Sequence, residues 1–396
     1  MGRNAVCFST KNMKIDSDKQ QIDALLTRGV EEVIVKDHLR ASLLSGKKLR
    51  VKFGVDPTSP DLHLGHTVVL QKLRQFQQLG HQIVLIIGDY TARVGDPSGK
   101  SKTRPMLSEA KIEASAATYL AQVGKIFDVS QLEIHHNSEW FSDGSWILPV
   151  TSQFSAQRIL ERDDFTKRMH AGTEVALLEL LYPAMQAYDS VKINAEVEIG
   201  GTDQKFNLLA GRDLQRHMGL PEQDIITLPL LRGLDGVQKM SKSLDNYIGI
   251  TEMPDMMFGK IMSIPDTLID EYYTLCVDAP RTEHDPRLAK LVLGSLIVDD
   301  YHGAGEGAKA RAEFERVFSR KEKPTEVKSE KLKVKSISVV DLLVAIKFAK
   351  SKSEARRLIE QGGVKVDDVK KIDPQEVINL TQEKLIQVGP RRFVKI

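Results

Sequence analysis

Residues 49–88 carry a pattern that few folds accommodate. Residues 49–56 (LRVKFGVD) alternate apolar side chains at Val51, Phe53 and Val55, the two-residue period of a strand with one buried face. After a polar turn, Val69, Leu70, Leu73, Phe76 and Leu79 recur at helical spacing, and Gly80 stands where a helix ends in a left-handed residue. Residues 82–88 (QIVLIIG) are then apolar almost throughout, as a strand covered on both faces must be. Strand, helix, strand predicts a parallel crossover unit. The same grammar returns further on, with EVEI at 196–199, a turn over 200–204, a helix bearing Phe206, Leu208, Leu209 and Leu214, and a fourth strand over 225–231.

The polar residues fall in an informative place. Each of the first three strands is followed at once by glycine, aspartate or threonine: Asp56-Pro57-Thr58, Gly88-Asp89-Tyr90-Thr91, and Gly200-Gly201-Thr202-Asp203-Gln204. In an open parallel sheet these are the carboxyl ends of strands, where ligands bind at the switch in strand order. A nucleotide-sized cleft is expected there. Between about 107 and 190 the spacing of Val175, Leu177, Leu178 and Leu181 predicts a mainly helical insertion, and residues 251–318 read as all helix. The methionines 253, 256, 257 and 262 are read as core packing. Residues 320–335 hold seven basic and three acidic side chains and one proline, the composition of a linker. A separate small unit follows, with a capped helix over 353–363 and a strand over 364–367. The expected fold class is α/β: a Rossmann-like doubly wound parallel sheet, then an all-helical domain, then a small α+β domain.

Formal net charge is only +2, so affinity for nucleic acid must come from local basic clusters and not from a global field. The two cysteines, Cys7 and Cys276, have no partner at zinc-like or redox-motif spacing, which fits a reducing cytosol. No run of about 18 apolar residues appears, so no membrane span is expected. Residues 1–12 lack the apolar stretch of a secretory signal and read as a disordered extension.

Two short strings bear chemistry. His63 and His66 lie three apart at the start of a helix, so both rings can face one ligand while free N–H groups of the helix terminus face an anion. Gly65 between them permits close approach of a purine or ribose. Zinc is the rival reading, but no third ligand stands nearby, and a histidine satisfying a turn carbonyl would explain either ring taken alone. Lys239 and Lys242, in Lys239-Met240-Ser241-Lys242-Ser243, follow a glycine-bearing turn on a loop. Two ammonium groups so placed suit charge moving onto departing phosphates, because such transfers gain mostly from positioning and electrostatics. An ordinary basic surface loop is the alternative. Residues 95–101 (GDPSGKS) imitate a phosphate-binding loop but fail the pattern, since three residues separate the glycines where four are needed. A P-loop NTPase is therefore excluded, although Lys100 and Arg104 remain placed to meet phosphate.

Taken together, residues 56–66 (DPTSPDLHLGH), the 95–100 turn, residues 182–189 (YPAMQAYD), the 200–204 turn and the KMSKS loop resemble the bacterial tyrosyl-tRNA synthetases, a family of class I aminoacyl-tRNA synthetases. The resemblance runs from about residue 49 to the C-terminus. It implies an ATP-dependent ligase that activates L-tyrosine to tyrosyl-adenylate and passes the tyrosyl group to the 3′ end of tRNA(Tyr), with ATP and its magnesium as substrate and no tightly bound cofactor or metal. It implies that Thr58, His63, Lys100, Arg104, Lys239 and Lys242 hold the triphosphate. His66, Gly201 and Asp203 would contact adenosine, with Pro57, Gly65, Met240, Ser241 and Ser243 beside the nucleotide. Asp96, Tyr182 and Gln186 would hold the substrate ammonium, and Asp189 would accept from the phenol, within a pocket that also includes Gly54, Asp56, Thr91 and Gln204. A catalytic domain over 1–235, a KMSKS loop and helical anticodon-binding domain over 236–325, a C-terminal domain over 333–396, a homodimer and a cytoplasmic location are further implications.

Two positions depart from the better-known bacterial form, which has tyrosine where this chain has Lys52 and glutamine where it has Glu198. Lys52 followed by FGVDP is similar to a second bacterial subgroup, and the departure is read as subtype; a lysine pointing into solvent from the polar face of its strand is the competing reading. The C-terminal unit resembles the small RNA-binding domain named after ribosomal small-subunit protein four, which implies that Lys350, Lys352, Arg356, Arg357 and Lys365 face tRNA phosphates. Two rivals stay in view. A tryptophanyl enzyme shares fold and signatures, and Asp189 with the C-terminal unit speaks against it. An RNA-binding protein on a non-catalytic synthetase core is the other, and intact His63, His66, Lys239 and Lys242 speak against that.

Overall fold

The computed structural model describes residues 15–58, 61–98, 108–319, 329, 332, 334–389 and 392–396. The chain divides into two compact units, Met1–Gly307 and Ala308–Ile396.

The first unit is built on six strands: β1 (Glu32–Ile34), β2 (Arg50–Val55), β3 (Gln82–Ile87), β4 (Glu133–His136), β5 (Val197–Gly201) and β6 (Asp224–Leu228), in the spatial order β1-β6-β5-β2-β3-β4. Five are parallel, and only β1 runs antiparallel, against β6. The expected doubly wound sheet is present with an edge strand of opposite sense. Strand order reverses at β2, since the chain moves outward to β3 and β4 on one side and then to β5 and β6 on the other. Right-handed crossovers in opposite directions set the helix Leu64–Gln78 and the helix Lys205–His217 on opposite faces. β2 and β3 share six rungs from Arg50 with Gln82 to Val55 with Ile87. β2 and β5 share two, Val51 with Val197 and Lys52 with Glu198, and then diverge.

Local sequence explains these elements. The residues of β3 from Ile83 to Ile87 are all buried, which its unbroken apolar run requires. The helix Leu64–Gln78 buries Leu64, Val68, Leu70, Leu73 and Phe76, and Gly80 follows it at φ 92°, a left-handed conformation that costs glycine nothing. The region read as a mainly helical insertion contains the helices Glu109–Val123, Asp163–His170 and Leu177–Lys192, and it also supplies β4 to the sheet edge. Val84 and Ile86 pack here with Phe141, Trp146, Val150 and Met185 in one core.

Beyond β6 come the helices Pro254–Ser263, Ile269–Cys276 and Pro286–His302. Asp285 caps the last by accepting from the Leu288 N–H at 2.8 Å. The methionine stripe is only half core: Met257 is buried, whereas Met253 and Met256 stand 45% and 56% exposed. Cys276 is a buried free thiol, and Cys7 lies outside the described residues.

The second unit is α+β. β7 (Ser336–Ser338), β8 (Val364–Val366), β9 (Val369–Lys371), β10 (Val377–Asn379), β11 (Leu385–Val388) and β12 (Arg392–Lys395) form a two-stranded pair, β10-β7, and a four-stranded sheet, β12-β11-β8-β9. The helices Val339–Ala345 and Lys352–Glu360 are each capped by a serine, Ser338 and Ser351. Val340, Leu343, Ile359, Val364 and Ile386 share its core.

Candidate active site

The carboxyl ends of β2, β3 and β5, with the segment after β6, enclose a cleft of about 620 Å³. Thr58, His63, Gly65 and His66 line it from the first string, and Lys239 to Ser243 from the second. Gly54, Asp56, Thr91, Asp96, Tyr182, Gln186, Asp189, Gly201, Asp203 and Gln204 complete the wall. Pro57 is buried beside the cleft and is not among the lining residues. Lys100 and Arg104 lie outside the described residues.

Backbone pairing brings the two strings together. The Leu64 N–H donates to the Ile248 carbonyl at 3.0 Å and the Ile250 N–H to the Leu62 carbonyl at 3.1 Å, an antiparallel bridge centred on His63 and Gly249. The loop between is pinned by Asn246, whose Oδ1 accepts from the Ser241 N–H at 2.7 Å and whose amide donates to the Lys239 carbonyl at 3.2 Å. Lys239 Nζ then reaches Asp203 Oδ2 at 2.9 Å, and Lys242 Nζ reaches Asp61 Oδ2 at 3.1 Å. A Cβ on Gly65 would stand 3.1 Å from the His63 ring and 3.4 Å from Met240 Cβ, so the strings are in contact.

The histidines form one unit. Their ring centroids are 3.8 Å apart, and His66 Nδ1 accepts from the His63 backbone N–H at 3.2 Å. Burial, then the neighbouring His66 and Lys242, pushes His63 down to about 2; burial and Lys242 push His66 down to about 4. Both imidazoles are therefore neutral at physiological pH. They offer single N–H donors to an anion without adding charge, and Lys239 and Lys242 provide the cations.

The opposite end of the cleft is a network of carboxylates and their partners. Asp56 accepts from the Thr91 hydroxyl on Oδ1 at 2.7 Å and from the Tyr182 hydroxyl on Oδ2 at 2.9 Å. Gly88 makes this possible, since a Cβ there would fall 2.1 Å from Asp56 Oδ1 and 2.3 Å from Thr91 Oγ1. Burial and the nearby Asp56 and Asp96 carboxylates hold the Tyr182 phenol far above its usual range, so it remains a donor. Deeper in, Asp189 is 4% exposed and accepts from Trp140 Nε1 at 2.9 Å. Burial raises its carboxyl to about 7, opposed by Lys52 and by hydrogen bonds from Trp140 and Asn137.

A third group surrounds Asp96. Gln204 Nε2 donates to Asp96 Oδ2 at 2.7 Å, Asn207 to Gln204 Oε1 at 2.9 Å, and Arg162 to Asn207 Oδ1 at 2.7 Å and to Ser98 Oγ at 3.0 Å. The Arg162 guanidinium is buried between the Phe165 and Phe206 rings, 5.3 and 4.9 Å from their centroids, and is paired with Asp164.

Lys52 does not point into solvent. It is fully buried, with Nζ 2.9 Å from Glu198 Oε1, because β2 is covered on both faces at the switch point. Sequence reasoning missed Asn246, Trp140, Asn137 and Arg162. Trp140 is one of two tryptophans in the chain, which was the only available signal. In the second unit Lys350, Lys352, Arg356, Arg357 and Lys365 are all exposed, and Lys352 pairs with Asp341 at 2.8 Å.

Residues 44–319 match the family of tRNA synthetases class I (W and Y), and residues 339–378 match the S4 domain. The chain is 47% identical over 392 residues to the tyrosine–tRNA ligase of Dehalococcoides mccartyi strain 195, covering 95% of this chain and 98% of that one. It is 46% identical over 381 residues to that of Aquifex aeolicus, with 94% and 97% covered. A truncated mitochondrial tyrosyl-tRNA synthetase of Aspergillus nidulans shares the fold at TM-score 0.62 and 21% identity, over 76% of this chain and 95% of that one. The Archaeoglobus fulgidus tyrosyl-tRNA synthetase, solved with L-tyrosine, shares it at TM-score 0.57 and 22% identity, over 74% and 99%. With both strings meeting in one cleft and near full-length similarity to enzymes of one name, the chain belongs to the bacterial tyrosine–tRNA ligases, within the class I aminoacyl-tRNA synthetases.

Proposed function

We propose that this cleft activates L-tyrosine with ATP and passes the tyrosyl group to tRNA(Tyr), with the residues divided as follows. The tyrosine carboxylate attacks the α-phosphorus of ATP, which enters as its magnesium complex; the bond to the bridging oxygen breaks and pyrophosphate leaves. The terminal ribose hydroxyl of tRNA then attacks the acyl carbon, and AMP leaves. Neither step requires a covalent bond to the protein.

His63 and Thr58 donate hydrogen bonds to phosphate oxygens, and Lys239 and Lys242 neutralise the charge that grows on the departing pyrophosphate. His66, Gly201 and Asp203 face the nucleoside. Asp96, Tyr182 and Gln186 orient the substrate ammonium, and Asp189 accepts from its phenol. The observation that carries this reading is the convergence of His63, His66, Lys239 and Lys242 on the cleft that also holds Asp189. Residues 1–235 form the catalytic domain, 236–325 the loop and an anticodon-reading helical domain, and 333–396 a domain that adds tRNA affinity through exposed Lys350, Lys352, Arg356, Arg357 and Lys365. The protein works in the cytoplasm as a homodimer, and the exposed Ile147, Leu148, Leu177 and Leu178 are apolar side chains that a second copy would cover.

Amino-acid-dependent exchange of labelled pyrophosphate into ATP tests this. Tyrosine supports exchange and tryptophan does not; exchange with tryptophan would reassign the pocket, and none with either amino acid would leave an RNA-binding protein on a non-catalytic core.

A further inference from the structure

The floor of the cleft holds an ion pair with no role in the scheme above. Lys52 and Glu198 face each other on the last rung shared by β2 and β5, their side chains 0% and 1% exposed. A pair this enclosed loses more solvation than its attraction returns unless hydrogen bonds occupy the remaining donors and lone pairs. Here they are occupied, in part by Gln186 of the amino-acid pocket. Lys52 Nζ donates to the Gln186 carbonyl at 2.8 Å and to Ser190 Oγ at 2.7 Å. Glu198 accepts from Gln186 Nε2 at 3.2 Å, from Ser190 Oγ at 3.2 Å and from Gln223 Nε2. Gln186 and Ser190 lie one turn apart on the helix Leu177–Lys192, and Asp189 stands on that turn.

We propose that Lys52, held by Glu198, is a specificity-determining positioning residue for the tyrosine reaction: it fixes the 186–190 turn so that Gln186 and Asp189 meet the substrate in one geometry, and it supplies the positive charge that keeps Asp189 an acceptor for a phenol. An apolar side chain at 52 could support the helix equally well by packing; it could do neither of these things. The inference rests on the reading of Asp189 as the partner of the phenol.

The groups facing Asp189 are Lys52 from β2, Glu198 from β5, Trp140 and Asn137 from the segment after β4, and Tyr182 from its own helix. Burial is the largest influence and works against the carboxylate; Lys52 is the next and works for it, while Glu198 works against it. The two members of the ion pair therefore pull the Asp189 titration in opposite directions. General damage to the pocket would not do so.

The test is kcat/KM for pyrophosphate exchange with tyrosine and with phenylalanine between pH 6 and 9, in the full-length wild type, K52M, E198Q, K52M/E198Q and D189N. K52M loses about tenfold or more of the preference for tyrosine at pH 7, and its acid limb for tyrosine moves to higher pH. E198Q moves that limb to lower pH, and the phenylalanine profile stays in place in both. Limbs that move the same way in the two single variants, or a K52M preference within about twofold of wild type, would overturn the proposal. Should circular dichroism show K52M unfolded, E198Q must still lower the limb and the double variant must bring it back toward wild type, and failure of either has the same force. A D189N enzyme that keeps its preference overturns the reading of the pocket itself; loss in D189N with no change in K52M overturns only the role of Lys52.

Discussion

Lys239 Nζ stands 2.9 Å from Asp203 Oδ2, so a cation assigned to the phosphates and a carboxylate assigned to the nucleoside neutralise each other at the cleft wall. Lys242 is paired in the same way with Asp61. On the proposed reading, each lysine exchanges a protein carboxylate for a phosphate as the reaction proceeds. That exchange rewards the state in which phosphate charge is greatest.

Replacing Lys242 by alanine is expected to lower the rate of tyrosyl-adenylate formation about 100-fold, the size typical of losing one preorganised electrostatic contact, with tyrosine affinity changed less than about twofold. Rapid-quench measurement of adenylate alongside equilibrium dialysis of tyrosine checks it. A variant impaired chiefly in tyrosine binding would contradict the assigned role.

Asp189→Ala should erode the rejection of phenylalanine. A pocket that bonds a hydroxyl rejects the analogue lacking it because its own buried group is left unpaired, a rule for which tyrosine-activating enzymes are a known illustration. Leaving such a group unsatisfied costs about 1–3 kcal/mol. The ratio of kcat/KM for the two amino acids reports the change, and an unaltered ratio would remove Asp189 from the pocket.

Arg162→Met removes the guanidinium that ties Asn207 and Ser98 around Asp96 and Gln204, and it leaves Asp164 without its partner. Breaking a buried pair in this way costs about 3–5 kcal/mol, and a lower urea midpoint is expected. The Km for tyrosine should rise more than the Km for ATP, because the disturbed residues face the amino-acid end of the cleft.

Acid should destabilise the fold through its buried histidines. His63 and His81 titrate near 6.5 when unfolded and are pushed down to about 2 and 4, chiefly by burial. Below pH 6.5 the unfolded chain binds more protons, so their contribution is full above 6.5 and is lost as pH falls toward the folded values. Asp189, raised from 3.8 to about 7, acts in the opposite sense between those values, one group against two. The net expectation is a loss of roughly 1 kcal/mol between pH 7 and 5.5, read from urea midpoints; stability that rises on acidification would refute it.

Deleting residues 333–396 should leave pyrophosphate exchange within about twofold and weaken tRNA charging, with the remaining charging less sensitive to salt because phosphate contacts have been removed. Full charging by the truncated chain would deny the exposed lysines and arginines a part in tRNA binding.

The crossover unit and the cleft were legible because an unbroken apolar run and a 3.6-residue period leave few alternatives, and because glycine and aspartate directly after a strand mark its carboxyl end. β4 was not legible: EIHH is polar and sits at a sheet edge, where no hydrophobic pattern is imposed. β1 and the strands of the second unit other than β8, most of them three residues long, are too short to show a period. Lys52 was half legible. Alternation put Val51, Phe53 and Val55 inward, but at the switch point both faces of β2 are covered, so Val51 and Lys52 are buried together and the charge needs a partner that only the β2–β5 register supplies. Asn246 was hidden for a different reason. Its work is done on the backbone of Ser241 and Lys239, and no side-chain motif records a bond to a peptide group. Arg162 and Trp140 reach partners 45 to 64 residues away in sequence, beyond any local pattern.

The separation of β2 from β5 just past the Lys52–Glu198 rung gives the crevice a bottom made of formal charges. Glu198 lines it directly, and the lysine behind it is out of reach of water. A synthetic inhibitor that extends a greasy tail to full depth would therefore strand those charges against hydrocarbon, whereas one ending in a small hydrogen-bonding group would be welcomed. The chemistry at the base of this pocket selects against lipophilic occupants before their shape is ever compared with that of the natural amino acid.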